Sequence, residues 1–265
     1  MSAAKSVAPG PTPLPWWRRW APTFWFLVVV AVVIWAMSGM KSYTVDWRKA
    51  LPDTLNILKQ MVHSDWAYTP TLILKLTETI EMALLGTLLA SILAVPFGFL
   101  AAKNTGKRLA GLGKFLLNAI RAFPDVILAI IFIKGVGPGP LAGIMAMGIH
   151  SIGMIGKLYA ESVEAIDRGP TEAMQSVGAN KIQQIWFGVV PQVLPEFSSY
   201  ALYRFEINSR AATILGIVGA GGIGTDLIFA IQQRVWSRVG IILIGIIVVV
   251  TVIDVGSGWL RKKLV

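Results

Sequence analysis

Apolar runs separated by short polar breaks dominate the chain. Residues 24–37 are wholly apolar, and after a polar stretch over 41–70 further apolar runs cover 76–102, 115–133, 141–160, about 193–218 and 236–259. A helix needs about 20 residues to cross bilayer hydrocarbon. The pattern therefore predicts an all-α polytopic transmembrane helical bundle of about six spans. The first run also fits a signal-peptide core, with Ala36 and Ser38 at a passable cleavage site. Its tryptophans and extended flanks favour an uncleaved span. Within the polar stretch Leu51, Leu55, Leu58 and Val62 recur at helical spacing between Trp47 and Trp66. This predicts an amphipathic helix lying on the outer surface. The 141–160 run is rich in small residues, among them Gly143, Ala146, Gly153, Gly156 and Ala160. Small residues let helices approach closely, so this span is predicted to be interior or at a subunit seam.

Of 265 residues 55% are hydrophobic and 14% charged, whereas a soluble domain carries about 25% charged residues. The composition is that of a membrane protein. The net charge of +10 does not point to nucleic acid, because the basic residues stand between apolar runs rather than in long tracts. Six spans put both termini on one side. That side holds 13 Lys and Arg against 8 on the other, so it is predicted to be cytoplasmic. Residues 1–22 are expected to form a disordered cytoplasmic N-terminus ahead of a transmembrane domain over 23–265. Trp16, Trp17, Arg18, Arg19 and Trp20 read as an interfacial anchor at its edge. Lys103, Lys107, Arg108 and Lys114 read as a basic loop. The chain has no cysteine, which excludes disulfides and cysteine chemistry.

One stretch departs from the apolar pattern. Residues 172–191, EAMQSVGANKIQQIWFGVVP, are polar and helix-favouring, and Gly178-Ala179-Asn180 can break them into two short helices. Their Glu, Gln, Asn and Lys exclude them from lipid. They form either a docking handle for another protein or an ordinary loop helix.

Charges inside spans are functional candidates by default. The 141–160 region holds His150, Lys157 and Glu161, and the 193–218 region holds Tyr200, Tyr203, Arg204, Glu206, Asn208 and Arg210. Lys157–Glu161 and Glu206–Arg210 stand four apart and read first as structural ion pairs. Arg121 and Asp125 have the same spacing and can pair. Arg204 and His150 lack an obvious local partner and sit at matching depths, so they are candidates for lining an anion path. Tyr203, Arg210 and Lys157 are the remaining candidates for that path. Gly219, Gly221 and Gly224 spell G-x-G-x-x-G, but no acid follows between 227 and 253 to bind a ribose. With Gly222 they predict a tight outer turn, either a plain chain reversal or an anion nest. There is no phosphate-binding G-x-x-x-x-G-K-[ST] loop, so any ATP must be hydrolysed by another chain. With two histidines and no cysteine, no metal site or catalytic set stands out.

The 172–191 stretch resembles the EAA signature of bacterial ABC importer permeases. Glu172, Ala173, Gly178 and Pro191 match it, while Met174 replaces the second alanine and Gly188 stands where an aliphatic residue is common. RAFPD at 121–125, the run GPGPLAGIMAMGIHSIGMIGKLYAESVEAID and LYRFEINSRAATILGIVGAGGIG look like the phosphonate-importer permease family. The resemblance covers about 77–226, within a family-like core over about 77–260. It implies a type I ABC importer permease with a coupling helix over about 169–188. It further implies a second permease subunit, most simply an identical one, and two ATP-binding subunits that carry the ATP and magnesium. An extracytoplasmic phosphonate-binding protein would complete the complex in the inner membrane, and this chain would bind no cofactor. The cargo class would be phosphonate, phosphite or phosphate. The alternative is an ion-coupled secondary transporter of a small anion, which would need a carboxylate relay near the midplane.

Overall fold

The computed structural model describes residues 16–39, 46–104 and 107–264. The helices are α1 (Trp16–Ser38), α2 (Trp47–Val62), α3 (Thr69–Ala101), α4 (Lys107–Ala122), α5 (Asp125–Val136), α6 (Pro140–Ala165), α7 (Gly169–Ser176), α8 (Lys181–Gln183), α9 (Val190–Ile217), α10 (Ile223–Gln232) and α11 (Trp236–Leu264). There is no strand among the described residues, and the all-α class follows. Four helices, α1, α3, α6 and α11, are long and apolar enough to cross a membrane, and α4 with α5 makes a fifth candidate as a bent pair. The 28-residue α9 has the length, but Glu196, Arg204, Glu206 and Arg210 break its apolar character.

The chain divides after Leu55 into two units. In the first, α1 presents Trp25, Phe26 and Trp35 as bare side chains. Residues 1–15 of the expected disordered segment lie outside the described residues. Over 16–22 the chain is already helical, because its aromatic residues continue directly into the apolar run and Pro22 does not end the helix. The apolar side chains of α2, Leu51, Leu55, Leu58 and Val62, are all exposed, as an interfacial helix requires.

The second unit is built around α6. Along its length Gly148 meets Leu89 of α3, and Gly156 meets Leu117 of α4. From the other side Gly98 of α3 lies against Tyr159. A β-carbon at Gly98 would stand 2.7 Å from the Tyr159 β-carbon, and one at Gly156 would stand 2.6 Å from Leu117, so these helices touch nearly backbone to backbone. The small-residue face is interior, and Ala142, Ala146, Met147, Ile152 and Ile155 are buried along it. Helix α9 packs on both α3 and α6, with Tyr159 stacked on Phe197 at 3.7 Å between ring centroids.

The structure corrects the sequence reading in three places. The single span expected over 115–133 is two helices bent by 78°. Pro124 supplies no amide proton and biases Phe123 away from helical geometry, so the chain breaks there. The break also removes the four-residue geometry on which an Arg121–Asp125 pair depended, and the Asp125 carboxylate instead accepts the Val126 amide at 2.9 Å. The basic loop is short, because α4 already begins at Lys107, and Lys114 reaches Glu164 at 3.0 Å. The sequence reading also had no helix between the glycine turn and the last span, whereas α10 forms there, entered at Gly222 and ended at Gln233 and Arg234, with positive φ at both Gly222 and Arg234.

Candidate functional site

The polar stretch folds into an exposed two-piece knob. Helix α7 ends where Gly178 takes φ +81. The Gly178 amide donates to Gln175 O at 3.0 Å, and the Ala179 amide to Met174 O at 3.0 Å. This pairing of a 6→1 and a 5→2 bond around a left-handed glycine satisfies the last carbonyls of the helix. Asn180 then starts α8 with a reciprocal cap, its side chain accepting from the Gln183 amide and Gln183 accepting from the Asn180 amide, each at 2.9 Å. The helix widens into a π-helical stretch, Gln184–Val189, before α9. Pro191 follows at once and has no amide to return to the preceding turn. Gln192 ties the two ends of the knob together, donating to Asp167 O at 3.2 Å and accepting from the Asp167 amide at 3.1 Å.

Within the knob Glu172, Ala173, Gly178 and Pro191 are all exposed. Gly188 is buried, and a β-carbon there would stand 3.0 Å from Thr171 Cγ2. The glycine that departs from the EAA pattern thus lets α7 lie against the start of α9. Sequence reasoning passed over the apolar surface of the knob. Val177, Ile182, Trp186 and Phe187 are 77%, 78%, 65% and 63% exposed, a patch that an isolated loop helix has no reason to present to water.

Arg204 is only 5% exposed. Its Nε donates to Ser151 Oγ at 2.8 Å and its NH1 lies 3.1 Å from Met154 Sδ. Among the described residues no carboxylate comes within 4.0 Å of it. Asn208, fully buried one turn further along α9, donates to Ser151 Oγ at 3.1 Å and to Thr87 Oγ1 at 2.9 Å. The guanidinium is therefore fixed by a neutral chain of groups from α3, α6 and α9. His150 adjoins Ser151, and its Nδ1 lies 3.0 Å from Phe123 O, a carbonyl left free by the break between α4 and α5. The structure thus supplies local partners for both residues that the sequence left unpaired, and it brings them to the same turn of α6. Ser151 and Thr87 gave no sequence signal, since a single hydroxyl in a span is unremarkable. Asn208 already stood among the polar residues of the 193–218 region, and its four-residue spacing puts it one turn from Arg204.

The other candidates are elsewhere. Lys157 pairs with Glu161 at 3.7 Å, both half exposed. Arg210 pairs with Glu206 at 2.6 Å and with Asp254 of α11 at 3.3 Å, and Arg261 closes on Glu206 at 2.9 Å. Tyr203 lies under Arg261, 5.6 Å from its ring centroid. Glu206, Arg210 and Tyr203 thus tie α9 to α11, whereas Lys157–Glu161 is a pair within α6. At the far end from the knob, Gly219, Gly221 and Gly222 have positive φ, and Gly224 sits where a β-carbon would overlap Thr213 O. The Gly222 amide donates to Glu78 Oε1 at 3.0 Å and the Ile223 amide to Thr79 Oγ1 at 2.9 Å. The turn does receive an anion, and that anion is a carboxylate of the same chain.

Closely packed helices of membrane-crossing length, a deeply buried arginine and an exposed helical knob define a multi-pass membrane subunit. The family model for the inner membrane component of binding-protein-dependent transport systems matches residues 94–265, and the chain belongs to that family. It is a permease of an ABC importer, and a separate subunit hydrolyses ATP. Such a permease works with an ATPase, a substrate-binding protein and a permease partner. The chain is 37% identical to the phosphite transport system permease protein PtxC of Stutzerimonas stutzeri, over 94% of this chain and 90% of that one. It is 41% identical to the phosphate-import permease protein PhnE of Mycolicibacterium smegmatis, over 68% of this chain and 33% of that one. It is 46% identical to the cryptic phosphonate transport system permease protein PhnE2 of Escherichia coli K12, over 46% of this chain and 99% of that one. In fold it is similar to a chain of the inward-facing MetNI methionine ABC transporter, with a TM-score of 0.65 and 19% identity over 76% of this chain and 99% of that one.

Proposed function

We propose that the chain passes phosphite, phosphonate or a related phosphorus oxyanion across the inner membrane, with Arg204 and His150 on the path. The carrying observation is the Arg204 guanidinium, buried and hydrogen-bonded by neutral groups only. A buried cation with no direct ion-pair partner, with Asp125 acting on it only at longer range, costs several kcal/mol, which a passing anion would offset. The names of the relatives supply the cargo class. In this reading the knob is the coupling helix, whose apolar patch seats in a partner ATPase that holds ATP and magnesium. Two identical permeases and two ATPases make the complex, an extracytoplasmic binding protein delivers the anion, and both termini are cytoplasmic.

The test is Arg204→Lys in the full complex reconstituted in liposomes. Lysine keeps the charge but loses the planar fork that matches two oxyanion oxygens. The expected result is a normally assembled complex with phosphite uptake lowered by roughly tenfold or more. Loss of assembly, or unchanged uptake, would refute a place for Arg204 on the path.

A further inference from the structure

The break between α4 and α5 brings a third basic group to the turn of α6 that holds His150 and Arg204. Gly153 has no side chain, and a β-carbon there would stand 2.6 Å from Arg121 Cγ and 2.9 Å from Leu117 O. The stem of Arg121 therefore lies directly on α6. At about 100° per residue, Gly153 falls roughly 60° to one side of His150. Ser151 and Met154, which contact Arg204, fall on the other side. His150 is thus flanked by the two arginines on a single helical turn. The head of Arg121 is exposed, and among the described residues it forms no ion pair. The acid of the elbow, Asp125, accepts the Val126 amide and forms no ion pair among those residues, but it is close enough to act on His150 and Arg204. Non-helical backbone at membrane depth persists where it is buried in protein or lines a polar cavity. Here the non-helical residues are Phe123 and Pro124, and Phe123 O contacts His150.

We infer that Arg121, His150 and Arg204 form one oxyanion subsite at the α4–α5 elbow, with Arg121 the mobile arm and Arg204 the fixed one. This rests on the assignment of Arg204 to the path and adds a residue and a division of labour to it. Arg204, pinned at Nε, sets the orientation of the anion. Arg121 lies on the surface of α4, reaches over Gly153 and contributes charge rather than fixed geometry. A dianion would face two guanidinium groups, with His150 held between them through Phe123 O and with Asp125, among the described residues, as the one carboxylate close enough to act on His150 and Arg204. Arg210 and Lys157 are not part of it, because each is already paired with an acid.

The division of labour predicts opposite tolerances at the two arginines. In the full complex in liposomes, uptake is measured for inorganic phosphite, inorganic phosphate and methylphosphonate. Arg121→Gln is expected to raise the apparent KM for the transported anion about tenfold, the worth of one charge-assisted contact, in a complex that still assembles. Arg121→Lys is expected to restore the KM to within about threefold, whereas Arg204→Lys is not tolerated. If Arg121→Gln leaves KM unchanged while Arg204→Lys abolishes uptake, the three-membered subsite is wrong and the path assignment stands. If both variants transport normally, both fail. If Arg121→Gln and Arg121→Lys both lose assembly, Arg121 is a packing residue and the inference is overturned. If the unmodified complex transports none of the three anions, the cargo class and the subsite fall together.

Discussion

Asn208 shows how much depends on single polar groups within the bundle. Thr87 donates its proton to Ala83 O at 2.7 Å, so its oxygen can only accept from Asn208. Ser151 Oγ accepts from Arg204 and Asn208 and donates to Asn208 Oδ1 at 3.3 Å. Replacing Asn208 with alanine takes the donor from Thr87 and the acceptor from the Ser151 proton, and opens a small cavity. Interhelical hydrogen bonds in membranes are worth about 0.6 kcal/mol on average, less than the ~1–3 kcal/mol cost of an orphaned buried group in water. We therefore expect Asn208→Ala to cost about 1–2 kcal/mol of stability, read as a lower Tm of the purified complex. Asn208→Asp has a different expected outcome. It would place a carboxylate in the same network as Arg204, neutralise the guanidinium and lower uptake far more than it lowers Tm. Equal uptake in Asn208→Asp and the unmodified protein would separate this network from transport. The sequence exposed Arg204 and His150, because a charge in an apolar run is conspicuous. It did not expose Ser151 or Thr87, and it matched Arg121 with Asp125 instead, because the roles of all three depend on which faces of α3, α4 and α6 meet. Those faces are set by glycine contacts between helices distant in sequence.

At the scale of the elements, the knob was the most legible part. Each of its breaks has a local cause: the left-handed Gly178, the reciprocal Asn180 and Gln183 cap, and Pro191 at the head of α9. Its apolar patch was less legible, because Val177, Ile182, Trp186 and Phe187 look like core residues until the fold leaves them uncovered. Gly178 lies in open space, with nothing within 4 Å of a β-carbon built on it. A side chain there would not clash within the chain. It would impose a left-handed strain of about 1–2 kcal/mol and project from the surface that docks. We expect Gly178→Asp to insert and fold in the membrane but to abolish substrate-stimulated ATP hydrolysis by the complex. Unchanged stimulation would remove Gly178 from the docking surface. The α4–α5 break was the least legible element. Its signal, a proline after an aromatic residue, was present in RAFPD, but an apolar run through it outweighed the break when periodicity alone was read.

At the scale of the whole molecule, the remaining question is which end faces the cytoplasm, and several features bear on it together. The knob, the 102–104 turn and the C-terminus of α11 share one end of the second unit. Lys103 and Asn104 bond to Glu164 and Val163 at the foot of α6, just before α7. Helix α11 starts at the other end, where Arg238 meets Asp65 at 3.7 Å and Tyr68 bonds to Asp226. Arg261, Lys262 and Lys263 therefore lie at the knob end, and so do Lys103 and Lys114. The basic residues retained at that end favour the cytoplasmic side, which is also the side that the proposed docking of an ATPase on the knob requires. The chain has no cysteine, so single cysteines report without background. A cysteine at Ser176, exposed at the end of α7, is expected to react with a membrane-impermeant maleimide only in inverted vesicles. One at Ser64, beside Asp65 at the opposite end, is expected to react only in intact spheroplasts. The reverse pattern would invert the topology and place the knob where no ATPase could reach it. Labelling of both positions from one side would require an even number of crossings between them, so α3, the α4–α5 pair and α6 could not be the three spans that separate Ser64 from Ser176.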